Sequence, residues 1–124
     1  MNIKALAVDR RSTERNLLTR PLKQIGVKKV VEVTAEEFKG ELFETGDFDV
    51  VFIEFNTLME AGRDLARSLR QMNGQTPIIV TYPENVTVAD LQKYCPDATA
   101  YLMTPFTNEQ LREVVEHHVL ALAN

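Results

Sequence analysis

The chain has a single cysteine, Cys95, two adjacent histidines near its end, no tryptophan, and no glycine-rich segment. One cysteine excludes an intrachain disulfide and suits a reducing compartment. With histidine confined to His117 and His118, the body of the chain lacks the base of a nucleophile–base pair. The turn after the first strand-like segment, Asp9-Arg10-Arg11-Ser12-Thr13, contains no glycine, which excludes a phosphate-cradling nucleotide loop. No apolar run approaches a membrane span, and the strand pattern beginning at Ile3 leaves no room for a signal peptide. A net charge of −4 and a pI near 5.2 argue against nucleic acid as a partner. What is present is ordinary: 124 residues, 44% hydrophobic and 26% charged, read as one cytoplasmic globular domain over 1–124.

Short apolar segments alternate with helical periodicity. Strands are expected at Ile3–Val8, Lys29–Val33, Val50–Glu54, Pro77–Tyr82 and Thr99–Met103. After the first, Ser12 or Thr13 supplies an N-cap, and Leu17, Leu18, Leu22 and Ile25 recur at helical spacing up to Gly26. Pro21 lies inside that pattern and is expected to kink or loosen the helix. Thr34-Ala35-Glu36-Glu37 is a capping-box signature opening a helix with Phe38 and Leu42, ended by Gly46. Residues 55–60 read as a loop before a helix carrying Leu65, Ala66 and Leu69 that fades at Asn73-Gly74. Thr87 caps a weaker helix with Val88, Leu91 and Cys95 inward, and Thr107 with Gln110 forms a capping box for the last. Cys95 then reads as a small buried hydrophobe. His118 shares a face with Leu111, Val115 and Leu122 and reads as a core-edge side chain.

Five β-α repeats with short connections imply an α/β fold, a doubly wound parallel sheet with helices on both faces and right-handed crossovers. Val50-Val51-Phe52-Ile53 has the continuous apolar character of a strand buried on both faces, and it ends on a carboxylate, Glu54. In a parallel sheet Asp9, Glu54, Tyr82 and Thr104 fall at one C-terminal rim, where such sheets place their ligands.

The element order, Asp9 after the first strand, a carboxylate after the third, Gly62 at the following helix start, and Thr104-Pro105-Phe106 after the fifth are similar to the receiver domain of bacterial response regulators, the CheY-like fold. The resemblance spans essentially the whole chain and implies five strands ordered 2-1-3-4-5 and five helices. It further implies a histidine kinase that phosphorylates an aspartate at the third strand's tip, and Mg²⁺ held there and by an acidic pair. A Ser/Thr and a Lys bind the phosphoryl oxygens, and a fifth-strand aromatic reports the switch to partners. Carried over, the acidic pair falls on Asp9 and Arg10, the phosphoacceptor on Glu54, and the residue lending a carbonyl to the metal on Asn56. The Ser/Thr position falls on Tyr82, although Thr81 is adjacent and a one-residue bulge would bring it there. The Lys falls on Thr104 before Pro105, usually joined by a cis peptide in the family, and the aromatic on Tyr101.

Only Asp9 keeps the family's chemistry. A guanidinium within about 4 Å of a carboxylate contributes roughly 1–4 kcal/mol near a surface and repels a second cation comparably, so Arg10 is expected to replace the metal, pairing with Glu54 or Asp9. Any Mg²⁺ would rest on Asp9 and Glu54 alone, and no cofactor is expected. The longer Glu54 side chain misplaces the nucleophilic oxygen for in-line transfer, and the Lys is missing. Glu54 is thus read as a fixed phosphoryl mimic, hydrogen-bonded by Thr104 or Thr81, or as an inert acid. The expected function is that of a stand-alone signalling domain, not an enzyme, with impaired or absent phosphorylation, that contacts a protein partner (a histidine kinase or a downstream protein). The resemblance places that contact on the fourth helix, fifth strand and fifth helix, with Tyr101, Arg112, Glu113, Glu116 and an exposed Leu120 presented there. The alternatives are a conventional regulator phosphorylated on Glu54 and a flavodoxin-like ligand binder or enzyme.

Overall fold

The computed structural model describes residues 2–9, 12–34, 48–60, 76–96 and 98–120, with the side chains of 9 and 12–17 outside that description. The expected helices around Phe38, Leu42 and Gly46 and around Gly62, Leu65, Ala66 and Leu69 lie outside the described residues.

The sheet has five parallel strands, β1 (Lys4–Asp9), β2 (Lys29–Thr34), β3 (Val50–Glu54), β4 (Ile78–Pro83) and β5 (Ala100–Thr104), in the order β2-β1-β3-β4-β5. Order and direction agree with the expectation. Four strands extend one residue further than their apolar runs indicated, taking Asp9, Thr34, Pro83 and Thr104 into the ladder. Apolar content marks where a strand is buried, whereas pairing continues to the solvated rim.

β3 is central, and the alternation of its side chains divides the core in two. Val51 and Ile53 join Leu6, Val8, Val33, Ile78, Val80, Phe55, Leu58, Leu91 and Cys95 on one face. Val50 and Phe52 join Ala5, Ala7, Leu18, Leu22, Ile79, Leu102, Leu111, Val115 and Val119 on the other. Phe52, at 0% exposure, contributes about 1.5–3 kcal/mol by burial alone. Ala5 and Ala7 of β1 lie in the cluster with Leu18 and Leu22, small residues where a helix must come close to the sheet.

The helix Ser12–Gln24 runs through Pro21 and closes in a Schellman motif. Val27 N–H donates to Leu22 O (3.0 Å) and Gly26 N–H to Lys23 O (3.1 Å), with Gly26 at φ 102°, the left-handed region that glycine enters without penalty. Thr87–Asp90 and Thr107–Gln110 form capping boxes for the helices Val88–Tyr94 and Asn108–Val115.

Three expectations are corrected. Residues 55–60 are helical and follow β3 without a loop. Val88, in the first turn of its helix, is 59% exposed, whereas Leu91 and Cys95 at the same spacing are buried. Leu120 is half-buried and packs against the Val115 cluster. After Val115 its helix passes into a π turn, Glu116–Leu120, whose wider winding turns Leu120 closer to the Val115 face than an α-helix would.

Candidate functional site

Parallel pairing gathers the expected rim residues at one sheet edge. Glu54 is in register with Thr81, and Thr104 with Pro83, while Asp9 ends β1 one step beyond the Val8–Ile53 pair. Pairing of β4 with β5 is continuous from Ile79 to Pro83, so no bulge exchanges Thr81 with Tyr82. Thr81, buried at 6% exposure, already stands beside Glu54. Tyr82 packs with Val80 on the opposite face. Asp9 contributes its backbone position, and Arg10, with the ion-pair fork expected of it, lies outside the described residues.

Glu54 is half-buried, and its carboxylate turns toward the chain that follows it. Its Oε2 accepts from the backbone N–H of Thr57 at 2.9 Å and from the Thr57 hydroxyl at 3.3 Å. With helix from residue 55, Glu54 is the N-cap and Thr57 the third helical residue, whose amide has no acceptor inside its own helix. A carboxylate there is also favoured by the positive end of the helix dipole. Thr57 is buried at 1% exposure, and Asn56 beside it is exposed. The expectation that Thr104 or Thr81 bonds Glu54 is therefore corrected to Thr57. The Thr104 hydroxyl instead donates across the sheet to the Tyr82 carbonyl at 3.2 Å. Pro105 follows through a cis peptide.

Sequence reasoning missed Thr57. The pair Phe55 and Leu58, spaced i and i+3, was the available signal that a helix starts directly after the strand.

At the other end of β5, Tyr101 is half-buried against the first cluster, and its hydroxyl donates to the Cys95 carbonyl at 2.8 Å. That carbonyl also accepts from Ala98 N–H at 3.2 Å, so Tyr101 fastens the turn between helix and edge strand. Burial first, and Cys95 second, raise the phenol above its ordinary value, and burial pushes the Cys95 thiol up to about 11. Tyr101 and Leu120 lie on opposite faces of the sheet, so the expected anchor pair is not formed. Arg112, Glu113 and Glu116 are exposed, and so are Met103 of β5 and Val88 and Tyr94 of the adjoining helix. His118 sits half-buried against the His117 ring, centroids 4.7 Å apart, and burial with that neighbour lowers its basicity.

No protein-family profile matches the chain. Among solved structures it superposes on a receiver domain from Clostridium thermocellum with TM-score 0.79 at 18% identity, covering 98% of this chain and 97% of that one. Chemotaxis protein CheY4 of Vibrio cholerae matches with TM-score 0.76 at 22% identity, over 95% and 99% of the two chains. The receiver domain of a Pseudomonas aeruginosa sensor histidine kinase, which holds a magnesium ion in its cleft, matches with TM-score 0.77 at 16% identity, over 96% and 98%. The fold is that of a response-regulator receiver domain, CheY-like. In sequence, the chain is similar to the sensory transduction protein LytR of Staphylococcus haemolyticus, 32% identical over 116 residues, and of Staphylococcus saprophyticus, 29% identical over 114. These alignments cover 91% of this chain, which spans 44% of the length of each relative.

Proposed function

We propose that the chain is a receiver-like signalling unit of a two-component or phosphorelay system that acts through protein–protein contact without turning over a phosphoryl group. One observation carries the reading: the acceptor position holds Glu54, and the chain itself occupies its Oε2 through Thr57. The receiver fold and the similarity to two sensory transduction proteins support the signalling role. A nucleophile must be presented in line with the phosphoryl donor, and an oxygen that already accepts two hydrogen bonds from Thr57 has to give them up to be so presented. The remaining groups add little charge stabilisation. Thr104 stands in the lysine position with its hydroxyl directed to Tyr82 O, and Arg10 replaces an acid in the pair with Asp9.

Mg²⁺ prefers several oxygen ligands in a tight octahedron. With an arginine next to Asp9 in the sequence where the family carries an acid, and Glu54 Oε2 engaged by Thr57, the donor set is poor for it, and we assign the unit no resident metal. The partner, a histidine kinase or a downstream protein in the cytoplasm, would meet the helix Val88–Tyr94, β5 and the helix Asn108–Val115. Exposed Val88, Tyr94 and Met103 with Arg112 and Glu116 give that surface mixed apolar and charged character. Nucleic acid and membrane are not part of the proposal.

Amide NMR spectra recorded without and with Mg²⁺, then with beryllofluoride, test the reading. No saturable shift is expected at Asp9, Glu54 or Thr104. Saturable shifts there would favour a conventional regulator that accepts phosphoryl on Glu54. The triple change Glu54→Asp, Arg10→Asp and Thr104→Lys is expected to install beryllofluoride binding.

A further inference from the structure

We infer that the Glu54 carboxylate is an internal clamp that holds the helical turn after β3 closed, so that capping this turn and serving a phosphoryl group or cation are mutually exclusive uses of Oε2. The inference rests on reading position 54 as the acceptor-equivalent position, and it adds the means by which that position is withheld.

Two donors converge on one oxygen, the Thr57 amide at 2.9 Å and the Thr57 hydroxyl at 3.3 Å. Thr57 is 1% exposed with the carboxylate in place, so opening the cap strips a buried amide and hydroxyl of their acceptor. The turn is not free to follow the carboxylate outward either. Phe55 and Leu58, at 8% and 6% exposure, seat it in the cluster that holds Val51, Ile53, Leu91 and Cys95. A ligand that recruits Oε2 therefore has to open the cap or pull two buried side chains from the core. The half-buried position of Glu54 and the engagement of Thr104 with Tyr82 O leave the clamp without a competitor among the hydroxyls at the rim whose hydrogen bonds are described. The same carboxylate that would define a phosphoryl site thus serves as a fixed part of the fold.

Hydrogen exchange at the Thr57 amide tests the clamp. Glu54→Ala is expected to accelerate exchange about fivefold, the factor that an N-cap is ordinarily worth. Glu54→Gln, which keeps an acceptor oxygen, is expected to stay within about twofold of wild type, as is Thr57→Val, which keeps the amide donor. If Glu54→Ala does not fold, Glu54→Leu, which keeps the bulk without an acceptor oxygen, takes its place with the same expected acceleration and the same overturning results. Thr57 exchange that is equal in wild type and Glu54→Ala, or a Glu54→Gln variant as fast as the alanine, would overturn the clamp. Beryllofluoride with Mg²⁺ on the wild-type chain separates the two readings. Binding that abolishes Thr57 protection would overturn phosphoryl independence and support the clamp; binding with protection intact would overturn the clamp. Absence of binding, with Thr57 protected, supports both.

Discussion

Replacing Tyr101 with phenylalanine removes one oxygen and tests whether this residue fastens the fold or stands as a free signalling surface. The bond to Cys95 O is 2.8 Å long and half-buried, within the range where a neutral hydrogen bond contributes about 0.5–1.5 kcal/mol. The lower half of that range applies, because Cys95 O keeps its bond from Ala98 N–H and is not orphaned. The ring stays in its cluster, so packing is unchanged. The expected loss is about 0.5–1 kcal/mol, read as a lower urea midpoint at constant slope. A pH series adds a second readout. The phenol is raised by burial, so the unfolded chain loses its proton first as pH climbs past the ordinary value of 10. The unfolded state then binds fewer protons than the folded one, and stability falls with rising pH. Cys95, raised to about 11 from 9.0, adds a slope of the same sign that begins lower. Tyr101→Phe should remove the tyrosine share of that decline and keep the cysteine share. Equal stability of the two proteins at neutral pH, with parallel alkaline profiles, would refute the fastening role.

Phe52→Ala should cost about 3–5 kcal/mol, the usual result of truncating a fully buried aromatic, measured by urea unfolding. Cys95 should react with a thiol reagent at the rate of global unfolding, since the side chain is 5% exposed and its thiol is raised; reaction at the rate of a free thiol would contradict the packing. Thr87 donors, backbone first, lower the Asp90 carboxyl below 3.8. Stability from this capping box is therefore present above the unfolded value and lost as pH falls through the folded one. Thr87→Ala should destabilise the domain at neutral pH, with the difference shrinking in acid; circular dichroism melts across pH 2–6 check the sign.

How legible the site was depended on what kind of rule each element obeys. Parallel strands buried on both faces are written as apolar runs, and Val50–Glu54 emerged with the bounds the sequence indicated. The caps at Thr87 and Thr107 were legible because a hydroxyl three residues before an amide-bearing side chain or carboxylate is a local pattern. Glu54 was harder. Glutamate is not among the preferred N-caps, and Glu54-Phe55-Asn56-Thr57 presents the capping box in reverse order, acid first and hydroxyl last. Leu120 failed for another reason. A helical wheel assumes constant periodicity, and the π turn that alters it arises in the packing of the chain's last helix. Register could be anticipated only in part: Thr81 was recognised as adjacent, but its pairing with Glu54 depends on where β3 meets β4.

The rim side chains whose hydrogen bonds are described share one property: each finds its partner inside the chain. Glu54 is held by Thr57, and Thr104 donates to the Tyr82 carbonyl; further along β5, Tyr101 donates to the Cys95 carbonyl. A site that binds and releases a ligand needs polar groups whose best partner is the ligand, and such groups cost stability when the ligand is absent. Groups already satisfied carry the opposite balance, because binding must first break a bond that the fold has made. On this reasoning the rim favours one fixed arrangement over exchange between two, and restoring Asp at position 54 alone would not be enough. An aspartate remains a good N-cap, so the single change Glu54→Asp should leave the turn capped and beryllofluoride unbound. The triple change adds an acid in place of Arg10 and a lysine in place of Thr104, supplying for the ligand the charge that the rim now lacks.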